Sequence, residues 1–474
     1  MSKYFITTPI YYINDVPHIG HAYTTIAADV LARYHRAKGD EVFFLTGTDE
    51  HGAKIAEAAK KAAKEPQAFV DNLEKKFKEA WKNLNISYDE FFRTTNPDHE
   101  KQVQEFVQKL KDRGFVEKRS YEGLYCVGCE KFMKESELVD GKCPDHLKEP
   151  VRQKEENYFF KLSDSAISNK LINLISNNEF VIGPESRRNE IISKLKLGIE
   201  DISISRATVE WGIPFPGDES QTIYVWIDAL LNYYTATKIY GKDDFWPANL
   251  HLMAKDILWF HAVIWPSMLL ALDLPLPKKV FAHGFFTVDN QKMSKTIGNV
   301  LNPNDLVDKF GADAVRYAVL REFPFGEDGD ISLDKIATQY NNLGNNLGNL
   351  VQRTISMMVK YKIRNTKFET NNKIQIDNEI NNLDFMEALK KIDDFCMEQN
   401  KYIAEHEPWV LAKEGKKQEL TDVLATVYNN LILLPDLLLP FMPETAEKMK
   451  KQLETLEPEP LFPRLDNSPY AVKQ

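Results

Sequence analysis

Strand and helix signals alternate through residues 1–115, stop, and resume from 223. That interrupted rhythm constrains the fold more than any other feature of the chain. "KYFITTPIYY" is a short β-rich run. Beyond it the apolar positions Ala22, Ile26, Val30 and Tyr34 recur every four residues, with Ala27 and Leu31 widening the stripe, which is helical spacing. Gly39 stops this helix and "DEVFFLTGT" opens a buried strand. A charged helical stretch, the strand-like "ISYDEFFRT" and a helix from about Pro97 to Arg113 follow. Strands alternating with helices predict an α/β domain on a doubly wound parallel sheet.

Between 116 and 222 the alternation fails. It returns in "TIYVWIDALLNYYTA", "DILWFHAVIWPSMLLA" and "KKVFAHGFFTVDNQKMSK". A chain of 474 residues is too long for one core. The simplest organisation is therefore one sheet domain in two halves, 1–115 and 223–285, split by an insertion at 116–222. Residues 286–335 read as a loop and linker region, and 336–474 as an α-helical bundle opening with "YNNLGNNLGNLVQ". The apolar share of 43% and charged share of 27% suit folded domains rather than a disordered chain. The richest apolar stretch, "VYNNLILLPDLLLPFM", is broken by asparagines, prolines and an aspartate, so no membrane span is expected. The N-terminus lacks a cationic segment followed by an apolar one, and the default expectation is a cytoplasmic protein. A net charge of −10 lowers the expectation of a nucleic-acid partner without excluding a local basic patch.

Four cysteines cannot make a disulfide framework in a chain of this length. Three of them fall in the pattern Cys126-x2-Cys129-x13-Cys143-x2-His146. Two pairs of ligands, each pair with a two-residue spacer, fit a closed tetrahedral zinc site of structural type, a zinc knuckle. Asp145 competes with His146 for the fourth position, and reduced cysteines without metal are the alternative. Cys396, alone in a helical stretch, reads as a small core residue.

Two further motifs carry chemistry. His18 and His21 lie three apart where a helix begins, at the positive end of its dipole, with Gly20 between them allowing close approach to the backbone. These features describe a phosphate or nucleotide site; a helix start with two incidental histidines is the plain alternative. Lys292 and Lys295 sit in "NQKMSKTIGN", a turn-rich segment, where flexible ammonium groups suit a polyphosphate. On its own that segment is equally a solvated surface loop.

Together, H-x-G-H after the first strand and K-M-S-K after the last resemble the class I aminoacyl-tRNA synthetases. "PIYYINDVPHIGHAYTT", "FLTGTDEHG", "YVWIDALLNYY", "DILWFHAVIWPSML" and "AHGFFTVDNQKMSKTIGNV" resemble the methionyl members, in that family's order. The resemblance implies a Rossmann-like catalytic sheet, a zinc-bearing insertion and a helical anticodon-binding region. It implies ATP binding by His18, Gly20, His21, Lys292, Ser294 and Lys295, with Mg2+ accompanying the nucleotide. The histidines would stabilise the α-phosphate under in-line attack and the lysines the departing pyrophosphate. Thr296 stands where the family usually has serine, which retains a hydroxyl.

By the same resemblance Tyr12, Trp226, Ala229, Leu230, Tyr233, Phe260 and His261 would line a methionine pocket, and Asp49 would take the substrate ammonium. Asn346 and Trp409 would read the anticodon of tRNA(Met), initiator tRNA included. Trp226, Phe260 and Trp409 serve equally as core residues on the residue pattern alone. A synthetase for another aliphatic amino acid is the same-fold alternative, but 116–222 leaves little room for the large editing insertion of those enzymes. A catalytically dead tRNA-binding paralogue is the other, and it would have no need of both histidines and both lysines. Without a further C-terminal domain the chain is expected to be a monomer.

Overall fold

The strand that opens the chain, β1 (Lys3–Tyr12), is buried from Phe5 to Tyr11 on both faces. A strand covered on both sides belongs at the centre of a parallel sheet. The computed structural model describes residues 2–127, 131–144, 147–288, 291–293, 299–363 and 374–465. These form two compact units: Met1–Val16, Glu41–Lys78 and Tyr88–Ala282 in the first, Pro17–Asp40, Glu79–Ser87 and His283–Gln474 in the second.

In the first unit β1 pairs with β2 (Glu41–Asp49), and β2 with β3 (Glu90–Arg93). On the other side lie β4 (Val181–Gly183), β5 (Leu250–Ala254) and β6 (Lys279–His283), giving the order β3-β2-β1-β5-β6-β4. The pairings of β1 with β2 and β5, β2 with β3, and β6 with β4 are parallel. The order runs outward in both directions from β1 and β5, and the crevice beyond their C-terminal ends is where such sheets bind ligands. Register shifts by one residue between Thr7 and Ile10, where Pro9 has no N–H to offer the ladder. Gly47 of β2 is obligatory: a Cβ there would lie 2.1 Å from the carbonyl oxygen of Phe92. Phe5, Phe43, Phe92, Trp265 and Met268 anchor the core.

The interval 116–222 holds an antiparallel sheet built on the long strands Val116–Cys126 and Val151–Phe160. It is not wholly an insertion. Val181–Gly183 returns to the central sheet as the edge strand β4, with Val181 opposite Lys279. Three residues are too short to show a period, so nothing in the sequence marks this return.

The second unit contains the helix α1 (Ile19–Ala37), a small sheet and the helical region from Leu333 onward. In the small sheet β7 (Phe286–Val288) lies between β8 (Gln291–Lys292) and β9 (Gly329–Asp330). Its polar core is an ion pair: Asp29 and Arg316 are both fully buried, 2.7 Å apart. Among the described residues no helix is long and apolar enough to cross a membrane.

Candidate active site

In the first unit, helix Val225–Ile239 presents Trp226, Ala229, Leu230 and Tyr233 at positions i, i+3, i+4 and i+7, one helical face. The segment Phe260–Ile264 adopts the wide π-turn often found at functional sites. It brings Phe260 against Trp226, the rings stacked with centroids 4.0 Å apart. The next residue, His261, meets the hydroxyl of Tyr233 at 2.8 Å. Nδ1 of His261 lies 3.0 Å from the carbonyl of Ile257, so Nδ1 carries the proton and Nε2 accepts from Tyr233. Burial pushes His261 down to about 4, so the ring is neutral. Tyr12 and Asp49 end β1 and β2 opposite each other in register. All eight residues expected to line a methionine pocket thus belong to one unit, six of them on two segments in mutual contact.

Sequence reasoning missed a buried chain beside them. Asp228, on the same helix, accepts from Nδ1 of His51 and pairs with Nε2 of His99, each at 2.7 Å. His99 Nδ1 meets Thr235 Oγ1 at 2.7 Å. Burial opposes charge on His51, but the Asp228 carboxylate outweighs it and, with Glu100, raises the imidazole to about 10. His51 also lines a small cleft with Arg206, Trp211, Tyr224 and Val225. Arg206 is buried with its guanidinium 4.0 Å from the Tyr224 ring centroid. His51 lies inside the quoted "FLTGTDEHG"; for Arg206 no local signal exists.

In the second unit His18 is the N-cap of α1, and its Nδ1 accepts from Gly20 N at 3.1 Å. His21 Nδ1 reaches back to His18 N at 3.3 Å. Two histidines therefore build the reciprocal cap that Ser and Glu usually make. The rings stack with centroids 3.7 Å apart. With both Nδ1 atoms accepting, the proton of each neutral ring resides on Nε2. Burial lowers His18 to about 4, and burial together with His18 holds His21 well below the usual imidazole value, so neither ring is cationic at neutral pH. They offer hydrogen bonds rather than charge. The ring lying over Gly20 is that of His18 itself, 3.0 Å from where a Cβ would stand. Lys292 is described through its backbone, in β8 opposite Thr287; Ser294 and Lys295 lie outside the described residues.

Of the four zinc candidates, Cys126 and Cys143 share a small buried cluster with Met133, while Cys129 and His146 (with Asp145) lie outside the described residues. Cys396 is fully buried in the helix Phe385–His406, as a core residue should be. In the helical region Arg353 lies over the Trp409 ring at 5.0 Å. The Asn346 amide is engaged within the bundle, donating to Asp393 O at 2.9 Å and accepting from Asn400 at 3.1 Å.

Comparison with known proteins adds a chemical context. Residues 4–150 and 146–355 match the family described as tRNA synthetases class I (M). The chain is 48% identical to the methionine–tRNA ligase of Clostridium acetobutylicum over 477 residues, covering 95% of this chain and 73% of the relative. It is 44% identical to that of Thermotoga maritima, covering 98% and 77%. A Mycobacterium tuberculosis methionyl-tRNA synthetase structure in complex with methionyl-adenylate superposes with TM-score 0.91 at 36% identity, over 98% of this chain and 100% of that one. The apo form of the mycobacterial protein gives 0.83 at 33% identity, over 99% of each chain.

Proposed function

The chain belongs to the methionyl class I aminoacyl-tRNA synthetases, and from that premise we propose how its residues divide the work. The reaction is activation of L-methionine by ATP followed by transfer to the 3′ end of tRNA(Met). In the first step the methionine carboxylate attacks the α-phosphorus, the bond to the bridging oxygen breaks, and pyrophosphate leaves. No covalent intermediate with the enzyme is needed, so catalysis is positional and electrostatic.

The observation that carries the methionine assignment is the pocket face of Trp226, Phe260, Tyr233 and His261. It is aromatic and uncharged, with its imidazole neutral and its hydroxyl proton committed within the wall. Such a surface suits a polarisable thioether. Ala229, Leu230 and Tyr12 complete the lining, and the Asp49 carboxylate takes the ammonium. His18 and His21, as Nε2–H donors capping α1, stabilise the α-phosphate, with Gly20 leaving room for the His18 ring. Lys292, Ser294 and Lys295 hold the leaving pyrophosphate. Mg2+ bound with the ATP would neutralise part of its charge.

For the insertion the reading is a structural zinc held by Cys126, Cys129, Cys143 and His146, the metal supplying cross-linking only. Two buried thiols in one cluster support it. For the helical region the reading is anticodon recognition by Trp409 and Asn346, with Arg353 beside the indole; Asn346 would first release Asp393 and Asn400. A cytoplasmic monomer completes the picture. The test is methionine-dependent ATP–pyrophosphate exchange across a panel of amino acids, with Lys295→Ala alongside. Exchange should follow methionine alone. Lys295→Ala should lose it by about a hundredfold or more while tRNA affinity holds. Equal loss of both would favour a binding protein, and exchange with another aliphatic amino acid would move the specificity.

A further inference from the structure

Residues on either side of the segment that bears Lys292 and Lys295 bond to α1, His283 before it and Leu301 after it. On the incoming side, the hydroxyl of Thr24 lies 2.6 Å from Nε2 of His283. Nδ1 of His283 is 2.7 Å from the carbonyl of Gly284 and so bears the proton. Nε2 is then the acceptor and the Thr24 hydroxyl the donor, and the bond has one polarity. Both residues are buried, each 3% exposed, where an alternative partner from solvent is excluded. Burial also keeps His283 neutral, pushing it down to about 4.

One residue earlier on α1, the Tyr23 ring packs on Phe286 at 4.3 Å and on His283 at 5.0 Å, with Phe325 at 5.1 Å. Phe286 opens β7, and β7 pairs with β8 so that Thr287 stands opposite Lys292. The corner between His283 and β7 is itself fixed, with Phe285 N donating to Asp328 at 2.8 Å and Gly329 N to Phe285 O at 3.0 Å. On the outgoing side, Ile19 N donates to Leu301 O at 2.9 Å. Ile19 is the residue between His18 and Gly20. The strand carrying Lys292 is thus linked through β7 and the Phe285 corner to His283, whose bond to Thr24 meets the helix three residues beyond His21.

We propose that Thr24 and His283 are positioning residues for the activation step: their buried hydrogen bond fixes the strand carrying Lys292 to the helix carrying His18 and His21, so that both sets of phosphate ligands keep one separation. Neither residue touches the reacting atoms. The inference rests on the roles given above to Lys292 and the two histidines. Phosphate ligands displaced by about 1 Å lose most of their effect in the transition state. The bond should therefore register in kcat rather than in the KM for methionine.

The test is a double-mutant cycle in pyrophosphate exchange on the full chain, using Thr24→Val, Lys292→Ala and the pair. Valine keeps the volume and removes the donor. Thr24→Val should lower kcat by about tenfold or more, with the methionine KM unchanged, and Thr24→Ser should restore it to within about threefold. In the Lys292→Ala background the Thr24→Val loss should shrink to about twofold or less, because the ligand it positions is already gone. An undiminished loss there, or no loss in the parent, overturns the inference. Where Thr24→Val fails to fold, His283→Phe, which removes the acceptor, carries the same cycle. If Lys292→Ala by itself leaves exchange intact, the assignment of Lys292 falls instead, and the two failures are told apart.

Discussion

Replacing Arg316 with methionine should cripple the second unit, and the structure says by how much. The guanidinium is fully buried and makes four bonds: to Asp29 at 2.7 Å, Phe441 O at 2.7 Å, Pro440 O at 2.9 Å and Leu84 O at 3.2 Å. Methionine fills the length of the aliphatic stem and supplies no donor. Three backbone carbonyls lose a partner in a site that water does not reach. Asp29 keeps only Arg33 at 2.7 Å and the Ser87 N–H and hydroxyl at 2.7 and 2.6 Å. Breaking a buried pair by removing one partner costs about 3–5 kcal/mol, and the stranded carbonyls place this site at the upper end. Against a typical domain stability of about 5–15 kcal/mol, the unit becomes marginal.

The same pair dictates a pH signature. Burial pushes the Asp29 carboxyl up, but Arg316, Arg33 and the Ser87 hydroxyl outweigh it and hold it below the usual carboxylate value. A folded pKa depressed below about 3.9 contributes stability that is present above that value and lost as pH falls through the depressed one. The Arg316→Met deficit should therefore be greatest near neutrality and shrink in acid below about pH 4. Urea unfolding across pH, with hydrogen exchange of α1 and Ala312–Arg321 to localise the loss, measures both. A deficit under about 1 kcal/mol at neutral pH, or one that grows in acid, would refute the reasoning.

Two further outcomes follow from single sites. Gly20→Ala places a Cβ 3.0 Å from Cε1 and Nδ1 of the His18 ring, which must give by a few tenths of an ångström and so weakens its bond to Gly20 N. The helix propensity gained offsets what the cap loses, each about 1 kcal/mol, so melting should barely move while adenylate formation drops about tenfold or more; unchanged exchange would show that the His18 orientation does not matter. In the insertion, metal analysis should find about one zinc per chain, lost with Cys143→Ala along with exchange protection in Val116–Cys126; a metal-free chain with full protection sinks the zinc reading.

What the sequence by itself determined is the local grammar. The stripe from Ala22 to Tyr34 announced α1, whose observed limits are Ile19–Ala37, and Gly39, at φ 87°, stands just beyond its end. The β/α alternation announced a parallel sheet, and the short motifs announced the family. Those signals are properties of neighbouring residues, set by helical and strand periods and by which side chains can carry a given chemistry. The tertiary structure decided the rest. It returned Val181–Gly183 to the sheet edge and grouped α1 with the C-terminal helices rather than with the strands beside it in sequence. It joined His51 and His99 through Asp228, partners 177 and 129 residues away. It also chose the protonated nitrogen of His18, His21, His261 and His283 by the atom placed against each Nδ1. A buried group takes its protonation, partner and role from whatever packing sets against it. That neighbour is as a rule remote in the chain, and no window of sequence contains it.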